Sequence, residues 1–196
     1  MDILISGVGG QGTILASKIL SYSAVVEGNK ARTGETIGMS QRGGCVISHV
    51  RTGEVNSPYI PIGGADLLLS FELCEGARNI QYIKDDGIAI INTTKIMPVT
   101  TSLGTSKYDD VNMKKYIMDN SRAVFVDANS LAYEAGSIKA VNTVLIGVAY
   151  GIGVLDVTKE SIIKSMEKNI KHKFLDLNLR AFKAGVKYGS EVNVKC

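Results

Sequence analysis

The first residues whose spacing suggests chemistry are the glycines after the N-terminal apolar run. Gly7-Val8-Gly9-Gly10-Gln11-Gly12 reads G-x-G-x-x-G, between a predicted strand at residues 2–6 and a predicted helix over residues 13–27. Glycines allow close backbone approach, and free N–H groups at a helix N-terminus attract a phosphate or another anion. The predicted binding residues of this loop are Gly7, Gly9, Gly10, Gln11, Gly12 and Thr13.

The residues of this glycine loop leave three interpretations open. A dinucleotide fingerprint also requires an acidic residue ~20 positions further on, at the end of a second strand. Glu27 has that spacing, but it stands at a predicted helix end before a polar stretch. The glycines could instead only allow a strand and a helix to pack closely. In the third interpretation they bind a phosphate-bearing cofactor that is shared with a partner chain.

A second candidate region is the polar, glycine-rich and basic stretch at residues 30–44, which shows neither helical nor strand periodicity. Long irregular loops inside compact domains are usually functional or disordered. Arg32 and Arg42 could each bind a phosphate or carboxylate through two hydrogen bonds. Arg32 and Arg42 are therefore candidate ligand-binding residues, and the alternative is a mobile, solvated loop.

Other reactive residue types lack the spacing of a recognisable site. The three cysteines, Cys45, Cys74 and Cys196, are far apart and form no C-x-x-C pair. This argues against a disulfide framework and against a zinc or iron–sulfur site held by this chain alone. His49 and His172 have no nucleophile partner, so we predict structural or surface roles for them. We expect no metal and no tightly held cofactor in this chain.

Four acidic residues near predicted strand ends are weaker candidates, because open α/β sheets place their sites there. Asp66 is interpreted as a turn residue, Glu72 and Glu75 as the exposed face of a helix, and Asp127 as the end of a strand. No P-loop, H-E-x-x-H or EF-hand motif is present.

The elements that must position these residues are short apolar strands that alternate with helices. Strands are predicted at 2–6, 67–69, 88–91 and 123–126, and a hairpin is predicted from residues 45–50 and 55–62. Helices are predicted over 71–84, 112–119, 130–136, 140–151, 158–171 and 175–188. Thr158 is the predicted N-cap of the fifth of these helices, and the last ends at Gly189. This alternation predicts an α/β, Rossmann-like, doubly wound and mostly parallel sheet. We expect one domain over 1–196, with a loop and hairpin insertion at 30–62 and a C-terminal helical pair at 158–189.

The composition limits the class of protein. The chain has 196 residues, of which 45% are hydrophobic and 21% charged, and its formal net charge is +3. That charge is small and scattered, so neither a nucleic acid nor a membrane is an expected partner. No apolar run reaches the ~18 residues of a membrane span. The N-terminus lacks the pattern of a signal peptide, and reduced cysteines are typical of the cytoplasm, so a cytoplasmic location is expected.

Several stretches resemble a known family. Gly7–Gly12 and the stretch Gly34-Glu-Thr-Ile-Gly-Met-Ser-Gln-Arg-Gly-Gly44 are similar to the two signatures of the gamma-type domain of 2-oxoacid:ferredoxin oxidoreductases. Residues 50–61, 65–66, 71–72 and 91–98 resemble the beta subunits of indolepyruvate ferredoxin oxidoreductases more narrowly, and residues 142–147 fit a later helix. The resemblance covers residues 1 to about 190.

The resemblance implies a function. Such enzymes oxidatively decarboxylate a 2-oxoacid on thiamine diphosphate, pass two electrons through iron–sulfur clusters to ferredoxin and release an acyl-CoA. The thiamine and cluster sites belong to a large alpha subunit, so this chain is expected to be inactive alone and to act in a hetero-oligomer on indolepyruvate or related aryl 2-oxoacids. It could form a homodimer when made alone. The gamma-type domain is implicated in handling coenzyme A. The resemblance therefore makes coenzyme A-binding candidates of Gly9, Gly10, Gln11, Gly12 and Thr13, and of Ser40, Gln41 and Arg42.

Three alternatives remain at this point. The chain could be the gamma subunit of an enzyme for another 2-oxoacid, such as pyruvate, 2-oxoisovalerate or 2-oxoglutarate. It could be a non-catalytic scaffold that only stabilises a partner. It could also be a free-standing nucleotide-binding module.

Overall fold

A six-stranded sheet forms the centre of the molecule. The structure, a computed structural model, describes residues 1–38, 44–97, 101 and 107–192. The order across the sheet is β2-β3-β1-β4-β5-β6. In chain order these strands are β1 (Asp2–Val8), β2 (Ala31–Ile37), β3 (Cys45–Thr52), β4 (Ala65–Ser70), β5 (Ile83–Asn92) and β6 (Arg122–Val126).

Four strands of this sheet are parallel. β1, β4, β5 and β6 pair in parallel, whereas β3 pairs antiparallel with both β1 and β2. The predicted α/β class and mostly parallel sheet are therefore confirmed. Because parallel strands share one direction, their carboxyl ends lie at the same edge of the sheet, where open α/β folds place their ligands. The end of β2 at Ile37 and the start of β3 at Cys45 lie at that edge too.

Helices cover both faces of the sheet. The described residues form seven α-helices and two short 3-10 helices, at Ile80–Tyr82 and Ile138–Ala140. The α-helices are α1 (Thr13–Val26), α2 (Leu73–Asn79), α3 (Asp110–Asn120), α4 (Ala128–Glu134), α5 (Val141–Ile152), α6 (Lys159–Asn169) and α7 (His172–Glu191).

Two apolar cores, one on each face of the sheet, hold the layers together. The larger core joins Ile3, Ile5 and Leu69 of the sheet to α1, α5 and α7. The smaller core joins Leu4 and Leu68 to α2 and α3. Alternation along β1 therefore sends side chains to both cores, which is why its sequence is a continuous apolar run.

The predicted hairpin is wrong, because β3 pairs with the segment before it. β2 and β3 form the hairpin with a continuous register from Ala31↔Thr52 to Ile37↔Val46. β2 is an edge strand with one buried residue, Gly34, so it lacks the alternation that marks a half-buried strand. The segment after β3 instead crosses the sheet. There the His49 Nδ1 atom accepts the N–H of Ile60 at 3.2 Å.

Close helix packing explains why α7 continues past its predicted end. Gly189 was predicted to stop this helix, but the helix extends to Glu191. A Cβ atom at Gly189 would overlap the carbonyl oxygen of Val148 in α5. This glycine therefore permits contact between two helix backbones and does not serve as a C-cap. By contrast, Thr158 caps α6 as predicted, because its side chain accepts the N–H of Ser161.

Three carboxylates are buried or paired where exposed positions were predicted. Glu72 and Glu75 are 1% and 4% exposed, so their prediction as the wet face of a helix is wrong. Asp66 lies within β4, where it accepts the N–H of Asp2 at 2.6 Å and pairs with Lys84. Only the assembled fold shows the donors that pair with Asp66 and Glu72. Glu75 pairs with Arg78 through Oε1, whereas its buried Oε2 atom has no hydrogen-bond partner among the described residues.

Candidate ligand cleft at the glycine loop

The glycine loop between β1 and α1 has a conformation that requires its glycines. Gly10 and Gly12 have φ angles of 97° and 89°, in the left-handed region that side chains disfavour. Gly7 has no room for a side chain, since a Cβ there would lie 2.9 Å from both Gln11 and Thr13 and 3.0 Å from Phe71. Gly7 thus allows the loop to pack closely against its neighbours, and Gly10 and Gly12 allow its left-handed turns.

Gln11 fixes the loop to the sheet. Its Oε1 atom accepts the N–H of Val8 at 2.7 Å, and its Nε2 atom donates to the carbonyl of Phe71 at 3.0 Å. Both hydrogen-bonding ends of the side chain are therefore engaged between the ends of β1 and β4. Gln11, a predicted binding residue, holds the loop in shape in this structure.

The N-terminus of α1 faces outward from this loop. Its N-cap is Gly12, and no side chain caps the helix there. The first helical hydrogen bond within the loop is donated by Ala16 to Gly12, so the preceding N–H groups have no intrahelical partner. Such groups, together with the helix dipole, favour an anion.

A cleft with a volume of about 450 Å³ opens beside this helix terminus. One wall is formed by Gly10, Gln11 and Gly12, and the others come from the ends of β5 and β6 and from the start of α5. The remaining lining residues are Leu15, Thr94, Ile96, Asn129, Ile138, Lys139, Val141 and Asn142. This volume is within the range of small-molecule sites, ~300–1,000 Å³.

Asn129 and Asn142 line the polar part of the cleft, and the buried Asn92 supports Asn129. Asn92, fully buried at the end of β5, donates to Asn129 at 3.1 Å and accepts the N–H of Ala128. Asn142 is 2% exposed, and its Nδ2 atom would lie 3.0 Å from a Cβ at Gly12. The Asn142 amide thus lies directly against the loop backbone and lines the cleft.

A second cleft of about 510 Å³ lies on the other side of the glycine loop. It is lined by Gly9, Gly10, Gly12, Thr13 and Ile14 and by Ile37 and Val46 of the β2–β3 hairpin. Gly9 donates its N–H to the carbonyl of Gly44 at 2.9 Å, which joins the two loops. The candidates Ser40, Gln41 and Arg42 lie outside the described residues, but both ends of their loop are at this cleft.

Glu27 does not provide the acidic residue of a dinucleotide site. Its Oε1 atom accepts hydrogen bonds from Thr158 and Ser161, which join the end of α1 to the start of α6. The backbone N–H and then the hydroxyl of Thr158 lower the pKa of the Glu27 carboxyl. Its carboxylate therefore has a structural partner.

A buried carboxylate anchors the chain on the α2 side of the cleft. Glu72 Oε1 accepts the N–H of Ile96 at 3.1 Å and the hydroxyl of Tyr108 at 2.5 Å, while Oε2 accepts the N–H of Glu75. Burial, followed by the bond to Glu72, raises the pKa of Tyr108. Glu72 thereby positions the chain that follows β5, including Ile96 of the cleft.

The thiols near this anchor are protonated at neutral pH. Burial, followed by the adjacent Glu75 carboxylate, raises the pKa of Cys45 to about 12. Burial also raises the pKa of Cys74. Because the thiolate is the reactive form, neither cysteine has the properties of a nucleophile.

Sequence reasoning missed Asn92, Asn129, Lys139 and Asn142 as lining or supporting residues of the cleft. The signal that could have revealed the first two is their position directly after predicted strands, where ligands bind in open α/β sheets. Asp127, which does follow a strand, accepts from Ser130 and caps α4.

In the described part of the chain no three His, Cys, Asp or Glu side chains are grouped to hold a metal ion, and no helix there could span a membrane.

Comparison with known proteins gives one matching family and several similar subunits. The family model described as pyruvate ferredoxin/flavodoxin oxidoreductase matches residues 2–188. The indolepyruvate oxidoreductase subunit IorB of Thermococcus kodakarensis is 40% identical over 195 residues, which cover 97% of this chain and 96% of the relative. The IorB subunit of Archaeoglobus fulgidus is 36% identical over 187 residues, covering 94% and 93%.

Solved structures share the fold. The gamma subunit of a keto/oxoacid ferredoxin oxidoreductase from Geobacter sulfurreducens matches with a TM-score of 0.72 at 24% identity, covering 97% of this chain and 99% of that one. The 2-oxoglutarate:ferredoxin oxidoreductase of Magnetococcus marinus, a structure with 2-oxoglutarate, coenzyme A and succinyl-CoA bound, matches with a TM-score of 0.77 at 17% identity. That match covers all of this chain and 32% of the longer one.

Proposed function

This chain belongs to the pyruvate ferredoxin/flavodoxin oxidoreductase family, and from that premise we propose that it is the small subunit of an indolepyruvate-type 2-oxoacid:ferredoxin oxidoreductase. The observation that carries the choice of substrate is the 36–40% identity to two IorB subunits over nearly the full length of both partners. Indolepyruvate and related aryl 2-oxoacids are therefore the proposed substrates. The family resemblance predicted from the sequence is confirmed.

The proposal divides the chemistry between two chains. A large subunit with thiamine diphosphate and iron–sulfur clusters decarboxylates the 2-oxoacid and transfers electrons to ferredoxin. The residues described here do not fit a cluster or a bound metal, since no suitable group of ligands is present among them. This small subunit is inactive alone, and its contribution is to bind and orient coenzyme A as the acceptor of the acyl group.

The glycine loop supports a role in holding coenzyme A. The uncapped N-terminus of α1 suits a phosphate, and Asn142 and Lys139 add donors from the lining of the same cleft. Arg42 can add a charged donor from the neighbouring loop, where Gly43 and Gly44 allow close approach. Bound in this way, coenzyme A would be oriented by backbone and amide groups that require no metal.

A reconstitution experiment tests this proposal. The chain is produced with a candidate thiamine-bearing large subunit, and coenzyme A-dependent dye reduction is measured with indolepyruvate, phenylpyruvate, pyruvate and 2-oxoglutarate. We expect activity only with both subunits and highest kcat/KM for the aryl 2-oxoacids. Preference for pyruvate would identify the chain as the gamma subunit of another 2-oxoacid enzyme. Full activity of the large subunit without this chain would instead support a scaffold role.

Arg42→Ala tests the assigned ligand. If Arg42 contacts coenzyme A in the assembled enzyme, the substitution raises the KM for coenzyme A, with a loss of ~1.5–3 kcal/mol expected for a charged hydrogen bond. The decarboxylation half-reaction without coenzyme A, and assembly on a sizing column, should not change. Dissociation of the subunits would show that Arg42 is an interface residue, and unchanged kinetics would show a solvated loop.

A further inference from the structure

The two asparagines that line the glycine-loop cleft, Asn129 and Asn142, use their amide groups in the same way. A side-chain amide accepts hydrogen bonds at its oxygen and donates them from its NH2 group. In both residues a group of the protein donates to the oxygen. No described residue accepts a hydrogen bond from the Nδ2 atom of either one. Both NH2 groups therefore remain for a ligand.

The orientation of the Asn129 amide is set by the backbone through Asn92. Asn92 is fully buried, and its Oδ1 atom accepts the N–H of Ala128 at 3.1 Å. Its Nδ2 atom donates to the carbonyl of Phe71 at 3.1 Å and to Asn129 Oδ1 at 3.1 Å. Because a backbone N–H only donates and a carbonyl only accepts, the Asn92 amide has a single orientation. The oxygen of Asn129 must then face Asn92, and its NH2 group lies at the other end of the amide.

The orientation of the Asn142 amide is set by the residue that follows it. Its Oδ1 atom accepts the backbone N–H of Thr143 at 2.9 Å, so this atom must be the oxygen. The Thr143 hydroxyl donates to Asn178 Oδ1 at 2.6 Å. Asn142 Nδ2 lies on the side of the glycine loop, 3.0 Å from the position of a Cβ at Gly12. A side chain that is 2% exposed thus directs an unpartnered donor at the N-terminus of α1.

The other polar groups of the cleft favour the same kind of ligand. The first N–H groups of α1 have no intrahelical partner, and no acidic side chain lies in this first turn. Among the described lining residues, Lys139 is the only one with a charged side chain. Fixed amide donors, a helix N-terminus and a lysine together favour an anion with several acceptor oxygens. A phosphate group has this chemistry.

We propose that Asn129 and Asn142 determine the specificity of the cleft by donating to a phosphate group of coenzyme A, and that Asn92 is a positioning residue that acts through Asn129. This inference rests on the proposed function, which assigns the cleft to coenzyme A. A donor that is already oriented binds without the cost of ordering a side chain. An amide turned the other way would instead place its oxygen against a phosphate oxygen, which is repulsive.

The test uses the enzyme assembled from both subunits and measures the KM for coenzyme A in Asn129→Asp and, separately, in Asn142→Asp. Each substitution keeps the oxygen that accepts from the protein and replaces the NH2 donor with a second oxygen. The matched control is Asn29→Asp, the same change at an exposed position between α1 and β2. Circular dichroism melting of each free chain shows that the variants fold.

We expect the KM for coenzyme A to rise roughly 10-fold or more in each cleft variant, because a hydrogen bond to a charged group is replaced by repulsion. The kcat at saturating coenzyme A should stay within about 2-fold of wild type, since the change affects binding of the ligand. The control should leave both values unchanged. Unchanged KM values in both cleft variants would show that the asparagines only support the fold and would overturn the inference.

A fragment of coenzyme A separates its phosphates from its pantetheine arm. Adenosine 3′,5′-bisphosphate has phosphate groups but lacks this arm, and it should compete with coenzyme A for the wild-type enzyme. Its inhibition constant should rise in the cleft variants by about the same factor as the KM. A raised KM with an unchanged inhibition constant would show that the amides bind a carbonyl of the arm and would overturn the phosphate assignment. Absence of inhibition of the wild type would overturn it too.

The role of Asn92 is tested in combination, because this residue does not line the cleft. Asn92→Leu removes the donor that orients Asn129, so the KM for coenzyme A should rise, but by no more than in Asn129→Ala. In Asn92→Leu/Asn129→Ala the KM should equal that of Asn129→Ala alone, since the two residues act as one unit. Effects that multiply would show that Asn92 supports the cleft independently and would overturn the positioning role.

The wild-type enzyme separates this inference from the proposed function. If the wild type depends on coenzyme A and the cleft variants retain its KM, only the role of the asparagines is wrong. If the assembled wild type shows no activity that depends on coenzyme A, the proposed function fails first, and this inference fails with it.

Discussion

Two glycine-rich regions of this molecule use the same residue type for opposite purposes. In the loop between β1 and α1, Gly10 has a positive φ angle, and a Cβ there would meet nothing within 4 Å. In the crossing of α5 and α7, Cβ atoms at Gly147 and Gly185 would overlap carbonyl oxygens of the facing helix. The loop glycines leave backbone groups open to a ligand, whereas the crossing glycines remove all space between two helices.

This difference predicts which substitutions should affect ligand binding and which should affect the stability of the fold. The α5–α7 crossing belongs to the larger core, together with fully or almost fully buried residues such as Leu145 and Phe182. Interiors are close-packed, so an added methyl group there must displace backbone. At Gly10 of the loop, an added methyl group would meet nothing within 4 Å. The cost of that methyl group is the left-handed backbone conformation, and the group would also narrow the space for the proposed coenzyme A.

The largest effect is expected at the helix crossing. Gly185→Val should lower the free energy of unfolding by ~3 kcal/mol, because overpacking a core typically costs 1–3 kcal/mol and here the obstacle is the Val144 backbone. Urea denaturation of the isolated chain measures this loss. Ser190→Ala, an exposed position on the same helix, is the control and should be near neutral. A Gly185→Val chain as stable as wild type would show that the helices do not touch here.

A smaller loss of stability is expected where the loop is tied to the sheet. Gln11→Ala leaves the N–H of Val8 and the carbonyl of Phe71 without their partner. Leaving such groups unsatisfied costs ~1–3 kcal/mol, and partial exposure of Gln11 places this case near the lower end. Denaturant titration tests the prediction. Gln11→Glu sets a second acceptor against the carbonyl of Phe71 and should lose at least as much, and a Gln11→Ala chain as stable as wild type would contradict the assigned bonds.

The third prediction separates binding from folding within the loop itself. Gly12→Ala places a Cβ 3.0 Å from Asn142 Nδ2 at a φ of 89°, so we expect a stability cost of ~1–2 kcal/mol for the left-handed conformation. In the assembled enzyme the KM for coenzyme A should also rise, because the methyl group narrows the cleft. Gly28→Ala, also at positive φ but at the other end of α1, should share the stability cost without the change in KM.

The smallest effect is expected from pH, and it sharpens the comparison because it acts outside both glycine regions. Burial, and then the charge of Arg51, lower the pKa of His49 below its usual 6.5. The unfolded chain therefore binds the proton more readily, so stability conferred by neutral His49 is complete above pH 6.5 and declines as the pH falls below it. Protonation would also remove the acceptor for the N–H of Ile60.

Urea titrations between pH 7.5 and 5 measure this decline. The carboxyl groups with lowered pKa values, such as Asp66 and Asp127, titrate below this window. His49→Phe should be less stable at pH 7.5 and should lose the pH dependence that His49 contributes. A slope that persists in the variant would show that another group is responsible.

Much of the architecture could be predicted because local patterns suffice for it. The β1 run, its glycine loop and the start of α1 have sequence signals that do not depend on distant residues. Thr158 caps α6 as predicted, since capping is a local hydrogen bond. β2 escaped prediction because an exposed edge strand with a central glycine carries no alternation, and its pairing with β3 spans a separate loop.

The sequence by itself determined the family, the mostly parallel α/β class and the glycine loop as the candidate site. These follow from order and spacing along the chain. Tertiary structure alone decided which polar groups meet at that loop. Asn129, Lys139 and Asn142 come from different elements, and only the convergence of parallel strand ends at one sheet edge brings them to Gly12. It also decided that Glu72 and Gln11 have their hydrogen bonds within the protein, because their partners are distant in sequence.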